Sequence, residues 1–79
     1  MSHAMDDLKQ EITKSREILL QLRDEIRVKV HLAGMDIKDA WATLNADADR
    51  VSQETSVAAR DALHGLIEQF KALKLRLDA

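Results

Sequence analysis

Two histidines and the carboxylates near one of them hold most of the chemistry this chain could perform. Asp61-Ala62-Leu63-His64 sets a carboxylate and an imidazole three residues apart, and Glu68 follows His64 by four. Those spacings place three potential ligands on one helix face, as di-iron helix bundles do on two of their four helices. The other helices must then supply inward-facing carboxylates. Asp24, Glu25, Asp36 and Asp39 all fall off the apolar rows, so His64 reads as a half-exposed surface residue, and no metal or other cofactor is expected. His31 stands alone. Ser15, Ser52 and Ser56 have no base at helical spacing that could activate a hydroxyl. No Gly-rich phosphate loop is present. A narrow helical protein of this size rarely encloses a concave pocket. The chain is therefore expected not to be an enzyme, and to have no catalytic residues and no small-molecule substrate.

Composition limits the scaffold that could carry any site. The chain has 79 residues, no Cys, no Pro and only two Gly, with 46% apolar and 33% charged residues. That is one small all-α domain, rich in helix formers and too apolar for disorder. Met1-Ser2-His3-Ala4 reads as an expression scar, which removes His3 from consideration and leaves residues 5–79 as the domain. Without cysteines there is neither a disulfide framework nor a thiolate metal site, which suits a reducing cytoplasm, the expected location. No apolar run approaches the ~20 residues of a spanning helix. A net charge of −2 gives no general attraction to nucleic acid or anionic lipid.

Hydrophobic periodicity then places the elements. Leu8, Ile12, Ser15, Leu19, Leu22, Ile26, Val30, Ala33, Ile37, Ala40 and Leu44 follow one another at spacings of three and four. This is a heptad seam with one stutter at Leu22-Ile26-Val30, and it keeps its phase across Gly34. It predicts one helix over about 5–44. A second seam, Ala59, Leu63, Leu66, Phe70, Leu73 and Leu77, predicts a helix over about 47–78. Asn45 is a good N-cap, Asp47 and Asp49 would follow in the first turn, and Lys71, Lys74 and Arg76 lie near the end, in keeping with the helix dipole. The predicted fold is a long antiparallel helical hairpin turning at about 45–47. Two alternatives stay open: one unbroken helix, or three helices broken at Gly34 with a middle helix of about ten residues.

Folding about residue 46 sets small residues against small and large against large. Ala33 and Gly34 come opposite Ala58 and Ala59, and Trp41 comes level with Val51. Ile26 faces Leu66, Leu22 faces Phe70 and Leu19 faces Leu73. The expected intrachain core is Leu19, Leu22, Ile26, Val30, Ala33, Ile37, Trp41, Ala59, Leu63, Leu66, Phe70 and Leu73. Gly34 would mark a close approach of two backbones. Leu8, Ile12, Ile18, Val28, Leu32 and Met35 are left without partners and form the candidate interface. A homodimer of two hairpins, packed as an antiparallel four-helix bundle, would cover them. Another helical protein is the alternative partner.

The run His31-Leu32-Ala33-Gly34-Met35-Asp36-Ile37-Lys38-Asp39-Ala40-Trp41, followed by Leu44, resembles a segment of short uncharacterised bacterial helical proteins. It spans about one seventh of the chain. The resemblance implies a helical, coiled-coil protein and supplies no active residues. The functional expectation is a non-enzymatic structural or protein–protein interaction module acting through self-associating amphipathic helices. Two other classes are weighed against it. An RNA-binding hairpin dimer would use Arg16, Arg23, Arg27 and Lys29, but these alternate with Glu17, Asp24 and Glu25 as on a solvated face. An amphipathic membrane-surface binder would need a Lys/Arg-rich polar face, and here both signs are mixed.

Overall fold

The computed structural model describes residues 3–78, with side chains from residue 6 onward. Among these residues the fold is all-helical. It consists of α1 (His3–Val30), α2 (Met35–Val51) and α3 (Val57–Asp78), packed as an up-down-up bundle 50 Å long and 18 by 15 Å across. Met1 and Ser2, half of the presumed scar, lie outside the described residues.

The two-helix hairpin turning at 45–47 is thus corrected to three helices. The first reversal comes at residues 31–34, where the N–H groups of Leu32 and Ala33 donate to the carbonyls of Lys29 and Val30 and close the last turn of α1. Gly34 is the N-cap of α2, in extended conformation at φ −71 and ψ 172. A Cβ added there would meet nothing within 4 Å, so Gly34 does not mark a close approach of backbones. It caps α2 without a side-chain hydrogen bond. Asp36 takes the favoured place in the first turn.

The second reversal comes at residues 52–56. Ser52 Oγ donates back to the Ala48 carbonyl at 2.7 Å, and Ser56 Oγ accepts from the Ala59 N–H at 3.1 Å. Ser56 therefore occupies the N-cap of α3 that Asn45 was expected to fill. Asn45 itself sits inside α2, where its Nδ2 donates to the Trp41 carbonyl four residues back at 2.9 Å. A short amide can satisfy itself this way in mid-helix without ending it.

The helix pairing is also different in sense. α1 and α3 run parallel, and three charge contacts fix their register. Glu11 meets Arg60 at 3.6 Å, Lys74 donates to Glu25 at 2.6 Å and Lys29 pairs with Asp78. Each joins residues 49 apart. The antiparallel pairings of Ile26 with Leu66, Leu22 with Phe70 and Leu19 with Leu73 do not survive this arrangement. Heptad seams mesh in either direction. Shifted by 51 residues, Leu8, Ile12, Ser15, Leu19, Leu22 and Ile26 superpose on Ala59, Leu63, Leu66, Phe70, Leu73 and Leu77. The two chain reversals make α1 and α3 parallel, and the flanking charges match in that register.

α3 is the shared element, packed against both other helices. Its Leu63 and Phe70 are fully buried with Ile26 of α1 and Ala48 of α2. Phe70 meets Trp41 edge to face, with ring centroids 5.7 Å apart, a favoured aromatic geometry. Arg16 donates to the Glu54 carbonyl at 3.0 Å and Arg23 to Asp49 at 3.2 Å, tying the far end of α2 and the loop after it to α1.

Two stability outcomes follow. Leu66→Ala should cost about 2–5 kcal/mol, as truncation of a buried Leu does; a loss under about 0.5 kcal/mol in urea denaturation would place it outside the core. The second outcome concerns Lys74. Its hydrogen bond to Glu25, followed by the charge of that carboxylate, holds the Lys74 ammonium above its ordinary 10.5. A raised folded-state pKa stabilises below 10.5 and loses that contribution as pH climbs through the folded value. Urea midpoints measured across the alkaline range should fall less steeply in Glu25→Gln than in the natural chain, and identical profiles would show the pair to be inert.

Candidate interaction surface

The bundle sorts the expected residues into three environments. Leu19, Ile26, Val30, Ala59, Leu63, Leu66, Phe70 and Leu73 are buried, and Leu22, Ala33, Ile37 and Trp41 are partly buried. Of the candidate interface, Ile12 is 1% exposed and lies inside the core of its own chain. Leu8 packs half-buried against that core. Ile12 therefore leaves the candidate interface, because the parallel α3 covers what an antiparallel arm would have left open. Ile18, Val28, Leu32 and Met35 remain exposed.

Three of those four belong to one end of the molecule. Leu32 is 94% exposed, Val28 71% and Met35 69%, all at or beside the α1–α2 bend. The last turn of α3 arrives at the same end through the Lys29–Asp78 pair. Between them lies an open depression of about 590 Å³ lined by Leu32, Ala33, Gly34, Ile37 and Leu77, with Lys29, Arg76 and Asp78 at its edge. Leu75, also exposed, borders the neighbouring hollow on α3 with Leu22. The bend end thus combines large apolar groups with a rim of both signs.

A second surface runs along α2 and α3. A shallow groove of about 460 Å³ lies between them, floored by Ala40, Leu44, Ala72 and Leu73 and edged by Asp39, Thr43, Gln69 and Arg76. These residues were absent from the candidate interface. Apart from Leu44 and Leu73, which belong to the core, they are small or polar, so no hydrophobic count singles them out. The signal available in sequence was spacing: Ala58, Ala62, Gly65, Gln69, Ala72 and Arg76 repeat at heptad intervals one residue behind the buried seam.

The residues considered for chemistry do not assemble. His64 Nε2 lies 3.5 Å from Glu11 on α1, in a half-exposed contact shared with Arg60. Asp61 turns to Arg60 and Glu68 to Lys71. Among the described residues no group of three or more His, Cys, Asp or Glu side chains is placed to hold a metal ion. Of the basic residues of α1, Arg16, Arg23 and Lys29 are engaged with acceptors on the α2–α3 loop, α2 and α3 respectively. Among the described residues no helix is long and apolar enough to cross a membrane. Compared with known proteins, the chain matches no family model, no curated protein and no solved structure.

Because Leu32 lies almost wholly in solvent, Leu32→Glu should leave helicity intact and shift unfolding free energy by less than about 0.5 kcal/mol. A loss above about 1 kcal/mol in chemical denaturation would mean that Leu32 packs within its own chain.

Proposed function

We propose that the protein is a non-enzymatic interaction module that works as a homodimer and offers its bend end to another helical protein. The observation that carries this reading is the cluster of Val28, Leu32 and Met35, exposed together at one end of the molecule. Contiguous apolar surface of that kind marks a contact site. The edge of Lys29, Arg76 and Asp78 carries both signs, which suits a polypeptide with mixed charges better than a phosphate backbone or an anionic lipid surface.

Small size supports self-association. A chain of 8.9 kDa buries a smaller fraction of its surface than a larger domain does, and oligomerisation is one common remedy. Sedimentation equilibrium on the intact chain is the test. A mass of two chains, dissociating on dilution, is expected. A mass of one chain at every concentration would overturn the homodimer.

A further inference from the structure

Resting on the homodimer reading, we propose that two copies join through the face formed by α2 and α3, the two hairpins packing as an antiparallel four-helix layer about a two-fold axis. The exposed side of α2 presents Asp39, Thr43, Ala46 and Arg50, and that of α3 presents Asp61, Gly65, Ala72 and Arg76. Charges sit at the ends of each set with opposite sign, and small residues sit within.

A two-fold axis pairs residues equidistant from it. On α2, Asp39 with Arg50 and Thr43 with Ala46 share one midpoint, between Leu44 and Asn45. On α3, Asp61 with Arg76 and Gly65 with Ala72 also share one, between Glu68 and Gln69. The helices are antiparallel, and the groove brings Ala40 and Thr43 together with Ala72 and Gln69. The two midpoints therefore lie level to within about 2 Å, at 1.5 Å per residue. One axis thus serves both helices.

About that axis the two contacts between the end charges are attractive, and each occurs twice. Asp39 meets Arg50 of the second copy, and Asp61 meets its Arg76. Among the described residues neither Asp39 nor Arg76 has an ion pair within its own chain, while Arg50 reaches Asp47 on the same exposed helix face and Asp61 reaches the adjacent Arg60. Gln69, near the axis, has an amide that both donates and accepts, so it can pair with its own copy. Gly65 stands against Ala72 of the second copy. Within its own chain a Cβ on Gly65 would meet open space, so nothing inside the bundle requires glycine there. That open space is what the proposed approach of the second copy would fill.

The face is about 30 Å long, from the rise of α3, and 18 Å wide. Two such faces cover on the order of 1,000 Å² in total, which reaches the lower bound for a specific interface. This geometry also leaves the bend ends free and points them in opposite directions, giving the dimer two equivalent contact sites.

Charge reversal tests the pairing. Asp39→Arg makes both α2 positions basic, and Arg50→Asp makes both acidic, so each variant alone should lose homodimer affinity by about tenfold or more. Mixed together, the two variants should form a heterodimer, since both contacts are then attractive. Circular dichroism verifies that each stays helical, as exposed positions allow. Gly65→Leu, unhindered in its own chain, should give single chains in sedimentation equilibrium, whereas Leu32→Glu should remain a dimer. Homodimers unaffected by either reversal, or no heterodimer on mixing, would overturn the α2–α3 face while leaving self-association standing. Loss of the dimer in Leu32→Glu alone would move the interface to the bend end. A natural chain that is monomeric would remove both this inference and the homodimer itself.

Discussion

The fold depends on α3 lying between two helices that scarcely touch each other. Its inner seam must satisfy α1 on one side and α2 on the other, which is why bulky groups concentrate there. Phe70 is the widest of them, fully enclosed and capped by the edge of Trp41. Without α3, α1 and α2 would share little beyond the bend and the arginine contacts near the other end. The structure is therefore a chain of dependencies through one late element of the sequence.

Charge completes what packing leaves undecided. Apolar heptads mesh in more than one direction and at more than one shift, each shift differing by whole turns. Once the two reversals have set α1 and α3 parallel, Glu11 with Arg60, Glu25 with Lys74 and Lys29 with Asp78 find opposite partners at a single offset. Each pair is half-exposed and individually weak. Their work is to choose among alternatives that hydrophobic burial treats alike, the role flanking charges also take between the chains of coiled coils.

Composition and seam spacing sufficed to read helices, the apolar face of α1 and the buried row of α3 except Ile67, which lies off the seam and is covered all the same. Chain reversal was harder to see. Val30, Ala33, Ile37, Ala40 and Leu44 keep heptad spacing straight through the bend, so periodicity carries no mark of the interruption, and Gly34 was the sole local sign. The second reversal did leave a mark in Ser52, Thr55 and Ser56, a cluster of turn-forming residues with a serine at the cap position. Asn45 competed with it because caps and mid-helix amides look alike in one dimension. Pairing direction was hidden with it, because a second reversal is what turns α3 parallel to α1. Of the candidate interface, Leu32 and Met35 were legible as unpartnered apolar groups, while Ile12 was not separable from them, since its burial depends on which way α3 runs. The α2–α3 face, made of alanine, glycine and single charges, has no hydrophobic contrast to read.

The parallel relation of α1 and α3 has a mechanical consequence. The start of α1 and the end of α3 lie at opposite ends of a body 50 Å long. Tension applied between them would slide the two helices past each other in shear, loading the spaced ion pairs and the interlocked leucines together instead of peeling them apart one at a time. A hairpin, with both ends on one side, would unzip from its open mouth. Resistance to pulling is governed by the barrier to unfolding, and this topology distributes the load across many contacts at once.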